Sequence, residues 1–320
     1  MGNGEVYAEG FAYSLGDRRM RVRESAALGL LVSDPEDLEA AGFGWHHTSS
    51  PHLSSYDLAR EAVSTLVKNT GDVDADAIVY ATCLPLNGNC GEPETWRKTG
   101  DVKHLMDFPG SRLQADFGLD DAVVVGINQQ ACTSMIGSLR LARALLLSEP
   151  DWRRVLCVTA DRFPEGSRYE QAYNPISDGG AACLVGREPR GVRLKAFHQL
   201  TNGGLAQADD DETVGSYFAY THRLVRETLD RAGLAAADLD WVVTQNTHEK
   251  AWRILARLLG IAEHKIWFPS LHEVGHVISG DNIINLRMLL DSGRLVPGQK
   301  ILTVMAGFGL NWQAAVLEAV

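Results

Sequence analysis

The sequence predicts an α/β protein, and three observations carry that prediction. Short apolar runs of strand length recur along the 320 residues. Helical patterns separate them. The runs are continuously apolar rather than alternating, as strands covered on both faces are. In order, the predicted strands are 77–83, 122–127, 154–160 and 181–185, then 239–244, 265–268, 301–305 and 313–317. Helical apolar spacing marks 56–68, with Leu58, Ala62 and Leu66 on one face, and 218–232 and 251–259 are amphipathic. The segment 133–147 is apolar on nearly all sides, which predicts a buried helix. The rhythm of strand and helix repeats in two halves that meet in the Gly/Arg/Pro stretch 186–191, so the expected units are 1–187 and 188–320. Residues 85–110 and 201–215 are expected to be long loops.

Composition narrows the function. Hydrophobic residues make up 45% and charged residues 22%, the balance of a chain with a packed core. Lys and Arg number 30 against 41 Asp and Glu, for a net charge of −11. An acidic chain without a basic run argues against nucleic acid and anionic membrane as partners. No apolar run approaches the roughly 18–20 residues that span a bilayer, and the first residues lack a basic and apolar leader pattern. The five cysteines are odd in number and lack paired spacing, so free thiols in a cytoplasmic setting are expected.

Cys132 is the sharpest local feature. It follows the strand 122–127 and a polar turn, Asn128-Gln129-Gln130-Ala131, and opens the buried helix. A helix N-terminus carries partial positive charge and unpaired N–H groups, both of which favour a thiolate nucleophile. The other four cysteines, in strands or in the long loop, are read as structural. A base is required. His248 stands at the C-terminal end of the strand 239–244, where active sites of α/β proteins collect, and His276 and Asp281 share the turn Gly275-His276-Val277-Ile278-Ser279-Gly280-Asp281. The Gly-rich turn Gly307-Phe308-Gly309 offers backbone N–H groups for an oxyanion. His272-Glu273-Val274-Gly275-His276 also fits the HExxH pattern of zinc hydrolases, but Gly275 and Gly280 weaken any helix through it.

The order of these motifs resembles the thiolase superfamily, and most of all the β-ketoacyl-acyl-carrier-protein (ACP) synthase III family. The motifs are Cys132 at a helix start, Ser177-Asp178-Gly179-Gly180 before a strand, His248 opening a helix, the turn at Gly275 and the closing Gly-rich turn with Trp312. The resemblance implies two similar α/β/α/β/α halves in a five-layer sandwich, a homodimer, and no cofactor, with acyl-CoA or a phosphopantetheinyl carrier protein as substrate. By position, Cys132 becomes the acylated nucleophile and His248 the family His. The backbone N–H groups of Cys132 and Phe308 form the oxyanion hole, and Lys250, Arg253 and Arg257 form the basic stripe that meets an acidic carrier. The family Asn is missing, because its position holds His276.

That departure resembles the acyltransferase subgroup of secondary-metabolite and polyketide pathways. These enzymes move an acyl group to an oxygen, nitrogen or sulfur nucleophile of a small acceptor with a Cys-His-Asp set. On this reading His248 is the base and Asp281 orients it. The alternative is a decarboxylating, carbon–carbon bond-forming synthase with His276 standing in for the Asn. A zinc hydrolase and an inactive fold-mate are the remaining readings.

Overall fold

The computed structural model describes residues 4–84 and 93–320. Ten strands form the main sheet: β1 (Tyr7–Leu15), β2 (Ala77–Ala81), β3 (Val123–Ile127), β4 (Arg154–Asp161) and β5 (Gly179–Gly186) in the first half. The second half supplies β6 (Val192–Thr201), β7 (Trp241–Thr244), β8 (Ile266–Trp267), β9 (Lys300–Gly307) and β10 (Asn311–Ala319). The spatial order is β8-β7-β9-β10-β6-β1-β5-β4-β2-β3. Read from the centre outwards, each half therefore runs through its first, fifth, fourth, second and third strands. In each half the middle three sequence positions pair in parallel and the first and fifth strands pair antiparallel. The two half-sheets join where Tyr7 and Ala8 of β1 meet Arg193 and Val192 of β6.

Five helices complete the layers: α1 (Ser55–Thr70), α2 (Ser134–Ser148), α3 (Asp210–Ala232), α4 (Glu249–Leu259) and α5 (Asp281–Asp291). α2 packs on β4 and β2 of the first half and on β10 of the second, and α5 packs on β1 and β5 as well as β7 and β9. Contact with both half-sheets places these two helices in the middle layer. That explains why α2 is apolar nearly all round, with Met135, Ile136, Leu139, Ala142 and Leu146 in the largest core cluster. α1 covers the outer face of the first half-sheet and α3 that of the second.

The predicted strands and helices all form, with shifted ends. The first strand of each half, β1 and β6, goes unread in the sequence, for a shared reason. Each carries a register shift, between Glu9 and Ala12 in β1 and between Leu194 and Ala196 in β6, which breaks any regular pattern of apolar positions. The predicted loop 201–215 is a loop only in its first part. Asp209 caps α3, its carboxylate accepting from Glu212 N at 2.8 Å, and the acidic residues after it form the first helical turn. Negative charge there complements the helix dipole. Of the predicted loop 85–110, residues 85–92 with Cys90 lie outside the described residues. Pro93–Thr99 is a helix, Val102–Leu105 a 3₁₀ turn, and a further helix begins at Pro109.

Candidate active site

The polar turn after β3 ends in a 3₁₀ segment, Ala131–Thr133, that runs directly into α2. Ala131 takes a left-handed backbone, φ 45°, an uncommon conformation for a residue with a Cβ. The sharp turn delivers Cys132 to the floor of a cavity of about 430 Å³. Gln313 on β10 bolts the turn in place, its amide donating to Gln130 Oε1 at 2.8 Å and to Thr133 Oγ1 at 2.9 Å. The end of β9 lies directly over it: a Cβ on Gly307 would stand 2.7 Å from the Cys132 N. Glycine at 307 is thus what lets the closing turn, with Phe308, approach Cys132.

The histidine that faces Cys132 is His276. Its turn follows the short helix Leu271–Val274, which stops at Gly275 with φ 61°. Backbone hydrogen bonds from His276 N to Pro175 O (2.9 Å) and from Ser177 N to His276 O (2.8 Å) pin the turn to the first half. Ser279 Oγ, 2.8 Å from Ser134 Oγ, ties it to the start of α2. Asp281, fully buried at the start of α5, lies 2.5 Å from His276 Nδ1 and accepts from Val277 N (2.6 Å) and Asn246 N (2.7 Å). With Nδ1 engaged by Asp281, Nε2 is the ring nitrogen left for Cys132.

The electrostatics form a linked set. A hydrogen bond from Cys83 and, against the cost of burial, the hydrogen bond and charge of His276 hold the Cys132 thiol down to about 5. Burial pulls His276 down, but the Asp281 carboxylate and the Cys132 sulfur outweigh it and raise the imidazole to about 10. At neutral pH the site therefore rests as a thiolate–imidazolium pair beside a carboxylate.

The expected pairing of Asp281 with His248 does not form. The Asp281 carboxylate is taken up by His276 and two backbone N–H groups, whereas His248 caps α4, its Nδ1 accepting from Lys250 N at 3.2 Å. His248 does line the cavity, with burial and the Lys250 charge pulling its imidazole down. Burial keeps such a ring neutral at physiological pH. Phe308 also lines the cavity. On α4, Arg253 pairs with Glu249 and Arg257 with Glu263 at 3.1 Å, while Lys250 stands at the cavity wall.

The HExxH residues separate in space. The helix ends before His276, His272 and Glu273 pair with each other on the surface, and Glu273 also meets Arg19. One helix face carrying two histidines, which that zinc chemistry needs, does not exist here.

Two contributions were not read from the sequence. Asn246 and Asn285 form a buried amide pair at 2.9 Å, and they brace Ser270 and the Gly275 carbonyl behind the His276 turn. Cys83, read as structural, instead lines the cavity with its sulfur 4.0 Å from that of Cys132. Cys157 and Cys183 do face each other across β4 and β5 in the core.

Comparison with known proteins identifies the family. The family model for the C-terminal part of 3-oxoacyl-ACP synthase III matches residues 229–319. A β-ketoacyl-ACP synthase III of Chlamydia caviae is 31% identical over 244 residues, 67% of this chain and 72% of that protein. The chain belongs to the β-ketoacyl-ACP synthase III family. The synthase III fold extends over nearly the whole chain: the structure of 3-oxoacyl-ACP synthase III from Pseudomonas aeruginosa superposes with a TM-score of 0.82, at 20% identity and 98% coverage of both chains. ChlB3, described as an acyltransferase, superposes with a TM-score of 0.80 at 21% identity, covering 99% of this chain and 98% of that one. Among the described residues of this synthase III family member, no helix is long and apolar enough to cross a membrane.

Proposed function

We propose that the protein is an acyltransferase that carries an acyl group from an acyl-CoA or acyl-carrier thioester, through a Cys132 acyl-enzyme, to an oxygen, nitrogen or sulfur nucleophile of a small acceptor. The observation that carries this reading is the buried Asp281–His276 pair facing Cys132. The position that resemblance gives to a decarboxylation-promoting Asn holds instead an imidazole backed by a carboxylate, the arrangement of a general base.

The steps balance without an external group. The Cys132 thiolate attacks the thioester carbonyl, and the oxyanion is held by the backbone N–H groups of Cys132 and Phe308. The intermediate collapses, the C–S bond to the carrier breaks, and the departing thiolate takes the proton from His276. Neutral His276 then accepts the proton of the acceptor O–H, N–H or S–H as that atom attacks the acyl-enzyme. Collapse of this second intermediate releases product, and the proton on His276 restores the ion pair with the Cys132 thiolate.

The cavity suits an apolar acyl chain or acceptor: Phe163, Tyr217, Phe218, Ile254, Phe308 and Trp312 are among its walls. Lys250, with the exposed Ile254 and Leu258 on α4, offers a mixed surface for a carrier or CoA arm, to which Arg253 and Arg257 contribute less because each already holds a carboxylate. We place the reaction in secondary metabolism of the polyketide kind. The working unit is a homodimer: β3 is the outer strand of the sheet with Val123 half exposed, and Trp96, Val102, Met106 and Phe108 expose apolar surface between β2 and β3 in sequence.

Intact-mass measurement after mixing with acyl-CoA and acyl-carrier panels tests the reading. Wild type gains the mass of the acyl group, Cys132→Ala gains none, and hydroxyl, amine or thiol acceptors discharge the adduct without release of carbon dioxide. No adduct on wild type, or an adduct on Cys132→Ala, overturns it. Gly307→Ala, whose methyl group would crowd the Cys132 N–H, is expected to slow acylation about 100-fold by spoiling the oxyanion site, read from the single-turnover acylation rate.

The second reading, decarboxylative carbon–carbon bond formation, is favoured by one observation: His248, kept neutral by burial, lines the same cavity. Carbon dioxide released from a malonyl thioester with formation of a new carbon–carbon bond would select it.

A further inference from the structure

Cys83 is held with more care than a filler of space needs. It follows β2 in a turn gathered around one buried carboxylate, that of Asp161 at the end of β4. The Cys83 and Leu84 backbone N–H groups each donate to Asp161 at 3.0 Å, and the Thr82 hydroxyl donates at 2.6 Å. Asp161 and Thr82 are each 2% exposed. Three donors on one carboxylate leave the turn little freedom, and the Cys83 sulfur ends 4.0 Å from that of Cys132, 49 residues away in sequence and on the wall of the same cavity.

We propose that Cys83 is a positioning residue of the acyl-transfer site, its S–H donating to the Cys132 thiolate and fixing where that sulfur waits for the thioester. This builds on the assignment of Cys132 as nucleophile. The direction of donation follows from charge. The hydrogen bond to Cys132 and burial hold Cys83 as the thiol, and the Asp161 carboxylate beside it adds a smaller opposition to a second anion, whereas Cys132 faces the cationic His276 and the N-terminal end of α2. The proton therefore stays on Cys83. A thiol is a weak donor in water, but it counts for more where water is excluded and the acceptor is charged.

The test is the pH dependence of Cys132 alkylation by iodoacetamide, with the modified cysteine located by peptide mapping. It reads the thiolate directly and needs no acyl substrate, so it succeeds or fails independently of the acyl-transfer reading. Two substitutions separate donation from packing. Cys83→Val fills the space with a somewhat larger, branched side chain and removes the donor; Cys83→Ser keeps a donor and loses volume. The expected result is that Cys83→Val moves the inflection for Cys132 up by about one pH unit, making alkylation about tenfold slower below the inflection. Cys83→Ser stays within about threefold of wild type, since its hydroxyl still donates. If the valine variant keeps the wild-type profile, or serine shifts the profile as far as valine does, the proposal is overturned. Should the valine variant fail to fold, Cys83→Ala is the donor-free variant to compare with serine, under the same two outcomes.

Discussion

His276→Ala is expected to lower acyl transfer by about 10³–10⁴-fold, with His248→Ala lowering it by less than about tenfold. The asymmetry follows from geometry. His276 faces Cys132 and is backed by Asp281, so in the proposed reaction it supplies both the charge that favours the Cys132 thiolate and the base for the acceptor. His248 has its Nδ1 turned to the Lys250 N–H at the start of α4. The pH profile should separate the two as well. In wild type, alkylation of Cys132 should rise through about pH 5 and stay level towards neutrality, because a lowered thiol is already ionised above that point. Loss of His276 removes the cation and leaves the burial cost opposed only by the Cys83 hydrogen bond, so the inflection should move up from about 5. Comparable losses in both variants, or a greater loss in His248→Ala, would move the base to His248 and favour the condensing reading.

Asp281→Asn should cost a similar factor, about 10³–10⁴ in turnover, because it removes the charge that keeps His276 protonated in a dry site. Its effect on Cys132 has two opposing parts. The carboxylate repels the thiolate directly, so removing it would lower the thiol; but it also sustains the imidazolium, whose hydrogen bond and charge are the larger influences on Cys132. The second part wins, and the alkylation inflection is expected to rise. Asp281 also accepts from Val277 N and Asn246 N, so the variant should lose about 1–3 kcal/mol of stability. Urea denaturation measures that cost apart from catalysis. A variant with unchanged inflection and turnover within tenfold of wild type would remove Asp281 from the mechanism.

The placement of Cys132 was legible because its signal is local. A strand, a polar turn and a buried helix start occupy fourteen consecutive residues, 126–139, and the helix end that activates Cys132 belongs to the same stretch. The Gly275-His276…Asp281 turn was legible as a unit for the same reason, since His276 and Asp281 are five residues apart and meet through one turn of chain. Which histidine Asp281 would serve was not. His248 and His276 sit on two separate strand-to-helix connections of the second half, and nothing in their spacing says which ring is turned to Cys132.

By itself, then, the sequence determined the alternation of strand and helix, the two-half rhythm and the residue types of the site, because burial period and turn chemistry act over a few residues. Only the tertiary structure decided the partnerships. The short joint between β1 and β6, the middle layer of α2 and α5, and the cross-half bonds from Gln313 to the Cys132 turn bring distant segments into register. Cys83 is the sharpest case. Its identity and its strand end are written in the chain, but the 4.0 Å approach to Cys132 depends on β2 and β3 lying side by side, with Asp161 of β4 holding the turn between them. A contact made by the edges of neighbouring strands leaves no periodic trace in either strand.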